Sequence, residues 1–167
     1  VEPVNQPPFL VTNLYNYTSG EPHRQRELFQ LLTARLETDK SKVHVIAGDF
    51  NSSLFGTYRR GYTSNPRCVE ADQLFTDFVL NPAVHCKWWA GRIDEGLWTR
   101  RNPSKVQYGR LDEILILGTQ PLHQDILERE LTGQCYRMHS SDHNESRLDH
   151  YTLVADISTS VMPKCQH

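Results

Sequence analysis

The alternation of apolar and polar positions predicts a strand, a helix and a second strand in the first third of the chain. Residues 9–15 and 43–47 are short apolar runs rich in β-branched residues, which favour strands. Residues 23–37 carry apolar side chains at helical spacing, which predicts an amphipathic helix lying on a sheet. These apolar positions are Leu28, Phe29, Leu32 and Leu36. The order predicts a βαβ unit, in which functional residues gather at the carboxyl ends of the strands.

The rest of the chain continues the α/β pattern. The further predicted elements are a helix over 69–80, a strand over 108–117, a short helix over 121–131 and a last strand over 151–157. Three tryptophans lie between the helix over 69–80 and the strand over 108–117, and at least two of them are expected in the core. We predict one domain over 9–158, with an irregular lead-in over 1–8 and a tail over 159–167.

Composition narrows the class of protein. Hydrophobic residues make up 38% and charged residues 23% of the 167 positions, which excludes a disordered chain. No apolar run has the length of a membrane span, and the start has no signal-peptide pattern, so we expect an intracellular, nuclear protein without a membrane partner. The net charge of −2 excludes a uniformly basic DNA-coating surface but leaves local arginine patches. The four cysteines form no CxxC pair, which argues against structural zinc.

Candidate chemistry gathers at the ends of the predicted strands. Asp49 and Asn51 follow Gly48 directly after the strand over 43–47, a pattern that suits a loop holding water, metal or a phosphate oxygen, although Asp and Asn are also ordinary turn residues. Asp112 is embedded in the strand over 108–117, where a carboxylate needs a partner. Two Asp-His pairs, 142–143 and 149–150, precede the last strand.

Together, GDFN at 48–51, RLDEILI at 110–116 and an Asp-His pair before the last strand resemble the exonuclease-endonuclease-phosphatase superfamily. This superfamily includes AP endonucleases, retrotransposon endonucleases, sphingomyelinases and inositol-phosphate phosphatases. The resemblance covers most of the chain, from Phe9 to Ile157. It implies a four-layer α/β sandwich of two packed mixed β-sheets flanked by helices.

The resemblance also implies roles for the polar residues. Asp49 would activate the attacking water and contact the metal, Asn51 would hold a phosphate oxygen, and Asp112 would orient His150. Asp149 would bind Mg²⁺ or Mn²⁺. The pair Asp142 and His143 follows Ser141, as the superfamily motif does, and stays an alternative to Asp149 and His150. Substrate contacts would come from residues around this rim. They are Tyr15, Arg24, Trp98 and Arg110, with Trp98 stacking on a base and Arg110 contacting backbone phosphate.

The superfamily carries an early Asn and a metal-binding Glu that nothing before Phe9 matches. We therefore expect the carboxyl-terminal part of such a domain, which a missing amino-terminal segment or a reverse transcriptase in the same polyprotein would accompany. The predicted function is a metal-dependent endonuclease acting on nucleic acid, with DNA the expected substrate. A lipid or inositol phosphate phosphatase, and a non-catalytic scaffold derived from such an enzyme, remain alternatives.

Overall fold

The computed structural model describes residues 9–39, 43–54, 59–60, 65–84, 86–89, 99–102, 107–118, 132–138, 150 and 152–158. Two helices occur in this part, α1 (Pro22–Thr38) and α2 (Pro66–Leu80). The strands are β1 (Phe9–Tyr15), β2 (Val43–Asp49), β3 (Arg59–Arg60), β4 (Cys86–Trp89), β5 (Arg100–Asn102), β6 (Gln107–Gly109), β7 (Asp112–Gly118), β8 (Thr132–Met138) and β9 (Thr152–Ser158).

The largest sheet of the described part has the strand order β1-β2-β7-β4. β1 and β2 are parallel and joined through α1, which confirms the predicted βαβ unit. β7 runs antiparallel to β2 on one side and to β4 on the other. Smaller sheets pair β3 with β6 and β6 with β5, and β8 with β9. The fold is therefore mixed α/β, with a mixed sheet and two helices.

The two helices begin where the sequence provides a suitable first turn. Each has a proline at one of its first two positions, where the missing N–H removes no helical hydrogen bond. In addition, the Asn65 side chain caps α2 by accepting a hydrogen bond from the Arg67 N–H at 3.0 Å. α2 consequently begins three residues before the predicted start at Val69 and ends, as predicted, at Leu80.

Other predicted elements differ in detail. The predicted strand over 108–117 is two strands, because β6 ends at Gly109 and β7 begins at Asp112. β3 and β8 lie in segments for which the sequence predicts no strand. β9 confirms the last strand. The lead-in over 1–8, the helix over 121–131 and the tail over 159–167 lie outside the described residues.

The core lies between the helices and one face of the large sheet. Phe50 stacks on Phe75 with ring centroids 4.4 Å apart, and Phe29 stacks on both Phe75 and Phe78. These rings pack with sheet residues that share one face, namely Leu14, Ile46, Leu115 and Leu117. Among the described helices, none has the length and apolar character needed to cross a membrane.

Gly48 allows β1 and β2 to approach closely at the end of the parallel pair. Its φ is +145°, a region that L side chains rarely adopt. A Cβ at this position would lie 1.9 Å from the Leu14 carbonyl oxygen. The glycine therefore lets the backbone pass β1 and deliver Asp49 to the rim of the sheet.

Candidate functional site

Three ionisable side chains meet at one end of the large sheet. Asp49 at the end of β2 is paired in register with Asp112 at the start of β7. The His150 Nδ1 lies 3.0 Å from Asp112 Oδ2, and the His150 Nε2 lies 3.9 Å from Asp49 Oδ2. One ligand atom of each residue falls within 4.8 Å of the others. The three residues therefore form a group that could hold a metal ion.

The hydrogen bond to Asp112 sets the chemistry of the His150 ring. An ionised carboxylate only accepts hydrogen bonds, so the Nδ1–H of His150 donates a hydrogen bond to Asp112. The Nε2 then faces Asp49 across a distance too long for a direct hydrogen bond. A water molecule or a phosphate oxygen between them would be within reach of both groups.

The Asp49 carboxylate is nearly buried and held by its own loop. Its Oδ1 accepts the Asn51 N–H at 2.7 Å. Burial raises the pKa of the Asp49 carboxyl above its usual value, and the neighbouring Asp112 carboxylate also raises this pKa. The hydrogen bond from Asn51 and the charges of His150 and Arg100 act in the opposite direction. A raised pKa suits a group that must exchange a proton with water.

Asn51 and Asn16 tie the Asp49 loop to the end of β1. Asn51 adopts a left-handed φ of 49°, which asparagine tolerates better than most residues. Its Nδ2 donates to the Asn16 carbonyl at 2.8 Å, and the buried Asn16 Nδ2 donates to the Phe50 carbonyl at 2.9 Å. The structure therefore places Asn51 next to Asp49, with its amide nitrogen donating to the backbone, and its contact with a phosphate oxygen stays a prediction.

Hydrogen bonds of Thr99 and Leu111 link the backbone next to Asp49 with the backbone next to Asp112. The Thr99 hydroxyl oxygen accepts the N–H groups of Leu111 at 2.9 Å and Asp112 at 3.0 Å. The Leu111 carbonyl in turn accepts the Phe50 N–H at 2.7 Å. Sequence reasoning missed Thr99 and Asn16, since a single threonine or asparagine carries no periodic signal.

Tyr15 lies beside Asp49, and Arg24 lies in the first turn of α1, next to Tyr17. Tyr15 is paired in register with Asp49 in the parallel β1–β2 ladder and is 81% exposed. The Arg24 guanidinium lies 3.4 Å from the Glu21 carboxylate and 5.3 Å from the centroid of the Tyr17 ring. This places an accessible phenol and a cation close to the carboxyl end of β1.

The environment of Arg110 argues against its predicted contact with backbone phosphate. Its side chain is 2% exposed, and its guanidinium donates to both carboxylate oxygens of Glu113, at 2.9 and 3.0 Å. A buried, bidentate ion pair of this kind does not present the cation to a nucleic-acid backbone. Arg110 is therefore a structural residue of the turn between β6 and β7.

Several predicted site residues lie outside the described residues. They are Asp149, Trp98, Asp142 and His143. His150 belongs to the cluster with Asp49 and Asp112. The choice between the two Asp-His pairs stays a prediction.

Comparisons with known proteins add no relative. No protein-family model matches the chain, and a search of curated proteins finds no match.

Proposed function

We propose that this protein is a divalent-metal-dependent phosphodiesterase of the exonuclease-endonuclease-phosphatase superfamily that cleaves the backbone of DNA. The observation that carries the proposal is the meeting of Asp49, Asp112 and His150 at one end of the sheet. Their order along the chain and their carboxylate-imidazole contact match the superfamily expectation. Phosphodiester hydrolysis needs a base for water, a donor for developing charge and a cation for the phosphate.

Each of the three residues has a distinct part in this chemistry. The Asp112 carboxylate holds the His150 ring with its Nε2 toward Asp49. Asp49 receives the proton of the attacking water, and His150, when its Nε2 also carries a proton, supplies a hydrogen bond or that proton to the phosphoryl oxygens. Carboxylate oxygens are ligands that Mg²⁺ and Mn²⁺ prefer, so Asp49, with Asp149, is the proposed holder of the cation. When bound, the cation would neutralise phosphate charge.

The proposal extends to the fold and the partners. The proposed fold is the four-layer sandwich of the superfamily, with a second sheet packed against the face opposite the helices. DNA is the proposed substrate, and a further segment of the same polyprotein is a proposed partner. The exposed Tyr15 beside Asp49 is compatible with contact to a substrate phosphate.

Nicking of supercoiled plasmid tests the proposal. The chain should nick in Mg²⁺ or Mn²⁺ but not in EDTA, and Asp49→Asn or His150→Gln should lower the rate by about 100- to 10,000-fold because proton transfer is lost. Asp77→Asn and His23→Gln are matched controls on exposed helix positions and should nick normally. Undiminished, metal-dependent nicking by Asp49→Asn would refute the proposed role of the cluster. Metal-dependent release of phosphate from an inositol phosphate, with DNA intact, would favour the phosphatase alternative.

A further inference from the structure

Tyr17 is an aromatic residue held at the surface by a fixed backbone. The residue is 41% exposed. Its N–H donates to Asn16 Oδ1 at 2.8 Å, and its carbonyl accepts a hydrogen bond from the buried Gln25 amide. An exposed ring on a backbone fixed from both sides loses little conformational freedom when a flat ligand stacks on it.

Arg24 adds a cation to the same surface. Its guanidinium carbon lies 5.3 Å from the Tyr17 ring centroid, within the range of a cation–π interaction. Glu21 holds the guanidinium from a distance of 3.4 Å. The tyrosine and the arginine thus form one composite surface that offers an aromatic face and positive charge.

This surface lies beside the candidate site. The Asn16 N–H donates to the Asp49 carbonyl at 2.8 Å, so Tyr17 follows immediately after the residue that joins β1 to the Asp49 loop. Tyr15 before it is paired in register with Asp49. Tyr17 is therefore two residues along the chain from Tyr15, and this proximity is what would bring a neighbouring base of a bound nucleotide chain to its ring.

We infer that Tyr17, backed by Arg24, is a stacking site for an unpaired nucleobase next to the phosphate held by Asp49 and His150. The inference rests on the proposed function in taking nucleic acid as the ligand. Stacking on an aromatic ring tolerates any base, and a cation nearby suits the adjoining phosphate. The substrate class it indicates is single-stranded or locally unpaired DNA.

The test is binding of two labelled strands in EDTA, where cleavage cannot contribute. One is an oligothymidine, and the other is an abasic backbone of the same length. The wild-type chain should bind the oligothymidine more tightly. Tyr17→Ala should weaken that binding by about five- to a hundredfold and leave abasic binding unchanged, while Tyr17→Phe should keep the preference because the ring remains.

Leu31→Ala is the control, because Leu31 is an exposed apolar residue of α1 that is not part of the surface formed by Tyr17 and Arg24. An equal affinity of the wild-type chain for both strands would overturn the inference, as would a preference that survives in Tyr17→Ala. The outcome is separate from plasmid nicking. Base-dependent binding without nicking would support the stacking site and overturn the hydrolytic proposal. Nicking without base-dependent binding would overturn the stacking site and support the hydrolytic proposal.

Discussion

The helix-covered core and the rim at Asp49 are stabilised in different ways. In the core, Phe29, Phe50, Phe75 and Phe78 pack ring against ring, and their contribution comes from apolar area removed from water. At the rim, carboxylates and a histidine are held by hydrogen bonds from backbone and side-chain groups. Packing in the core is non-directional, whereas the rim contacts depend on the direction of each donor and acceptor. Loss of a core ring should therefore affect stability, and loss of a rim contact should affect geometry.

Phe75→Ala should give the largest change in stability. The ring lies between Phe29 and Phe50, so its removal leaves a cavity among well-packed neighbours. We expect the free energy of unfolding to fall by about 3–5 kcal/mol, measured by urea denaturation. Leu80→Ala, at a 62% exposed position on the same helix, is the control and should have little effect. A similar loss in both variants would contradict the packing described for the core.

Thr99→Val should have an intermediate effect that extends to the rim. The valine keeps the shape but leaves the Leu111 and Asp112 N–H groups without the hydroxyl that accepts them. We expect a loss of about 1–3 kcal/mol in urea denaturation. The nitrogen chemical shifts of the His150 ring should also change, because the Asp112 backbone is no longer fixed.

Two matched variants test whether loss of the Thr99 hydroxyl, and not substitution of a buried threonine as such, changes the His150 spectrum. Thr99→Ser retains the acceptor oxygen and should preserve the His150 spectrum. Thr76→Val removes another buried threonine hydroxyl, which donates to the Asp72 carbonyl in α2, and should leave His150 unchanged. An unaltered His150 spectrum in Thr99→Val would show that Thr99 does not position the rim.

Asp49→Asn should give the smallest change in stability and one of opposite sign. Because the folded state raises the pKa of this carboxyl above the usual value near 3.8, its stabilising, protonated form is present at low pH and is lost as pH rises through the raised pKa. In EDTA at neutral pH, the asparagine variant should therefore unfold at a higher urea concentration than the wild type. The advantage should shrink as pH falls toward 3.8.

Asp77→Asn provides the comparison for this pH series, because Asp77 is an exposed residue on α2. It should show no gain in stability at neutral pH, because its side chain is exposed to solvent. An Asp49→Asn variant that is less stable than wild type at neutral pH would contradict the assigned cause, which is burial of the charged carboxylate.

The elements predicted correctly from the sequence are those in which apolar residues recur at a regular spacing. Apolar spacing gave α1, and β-branched runs gave β1 and β2, because periodic burial leaves a pattern in the letters. The rim was predicted from Asp49, Asp112 and His150, and these residues do meet. The Arg110–Glu113 ion pair was missed, because a buried charge pair looks like a solvated one until the fold is known. Thr99 was missed because its hydroxyl acts on residues 12 and 13 positions away.

Gly48 restricts which sequences could encode this rim. A library that varies position 48 and selects for a folded chain should return glycine almost exclusively, since any side chain would meet the Leu14 carbonyl oxygen. The same library at Tyr15, which is exposed on the neighbouring strand, should return many residues when selected for folding alone. The contrast would separate, position by position, what this chain needs to fold from what it needs to act.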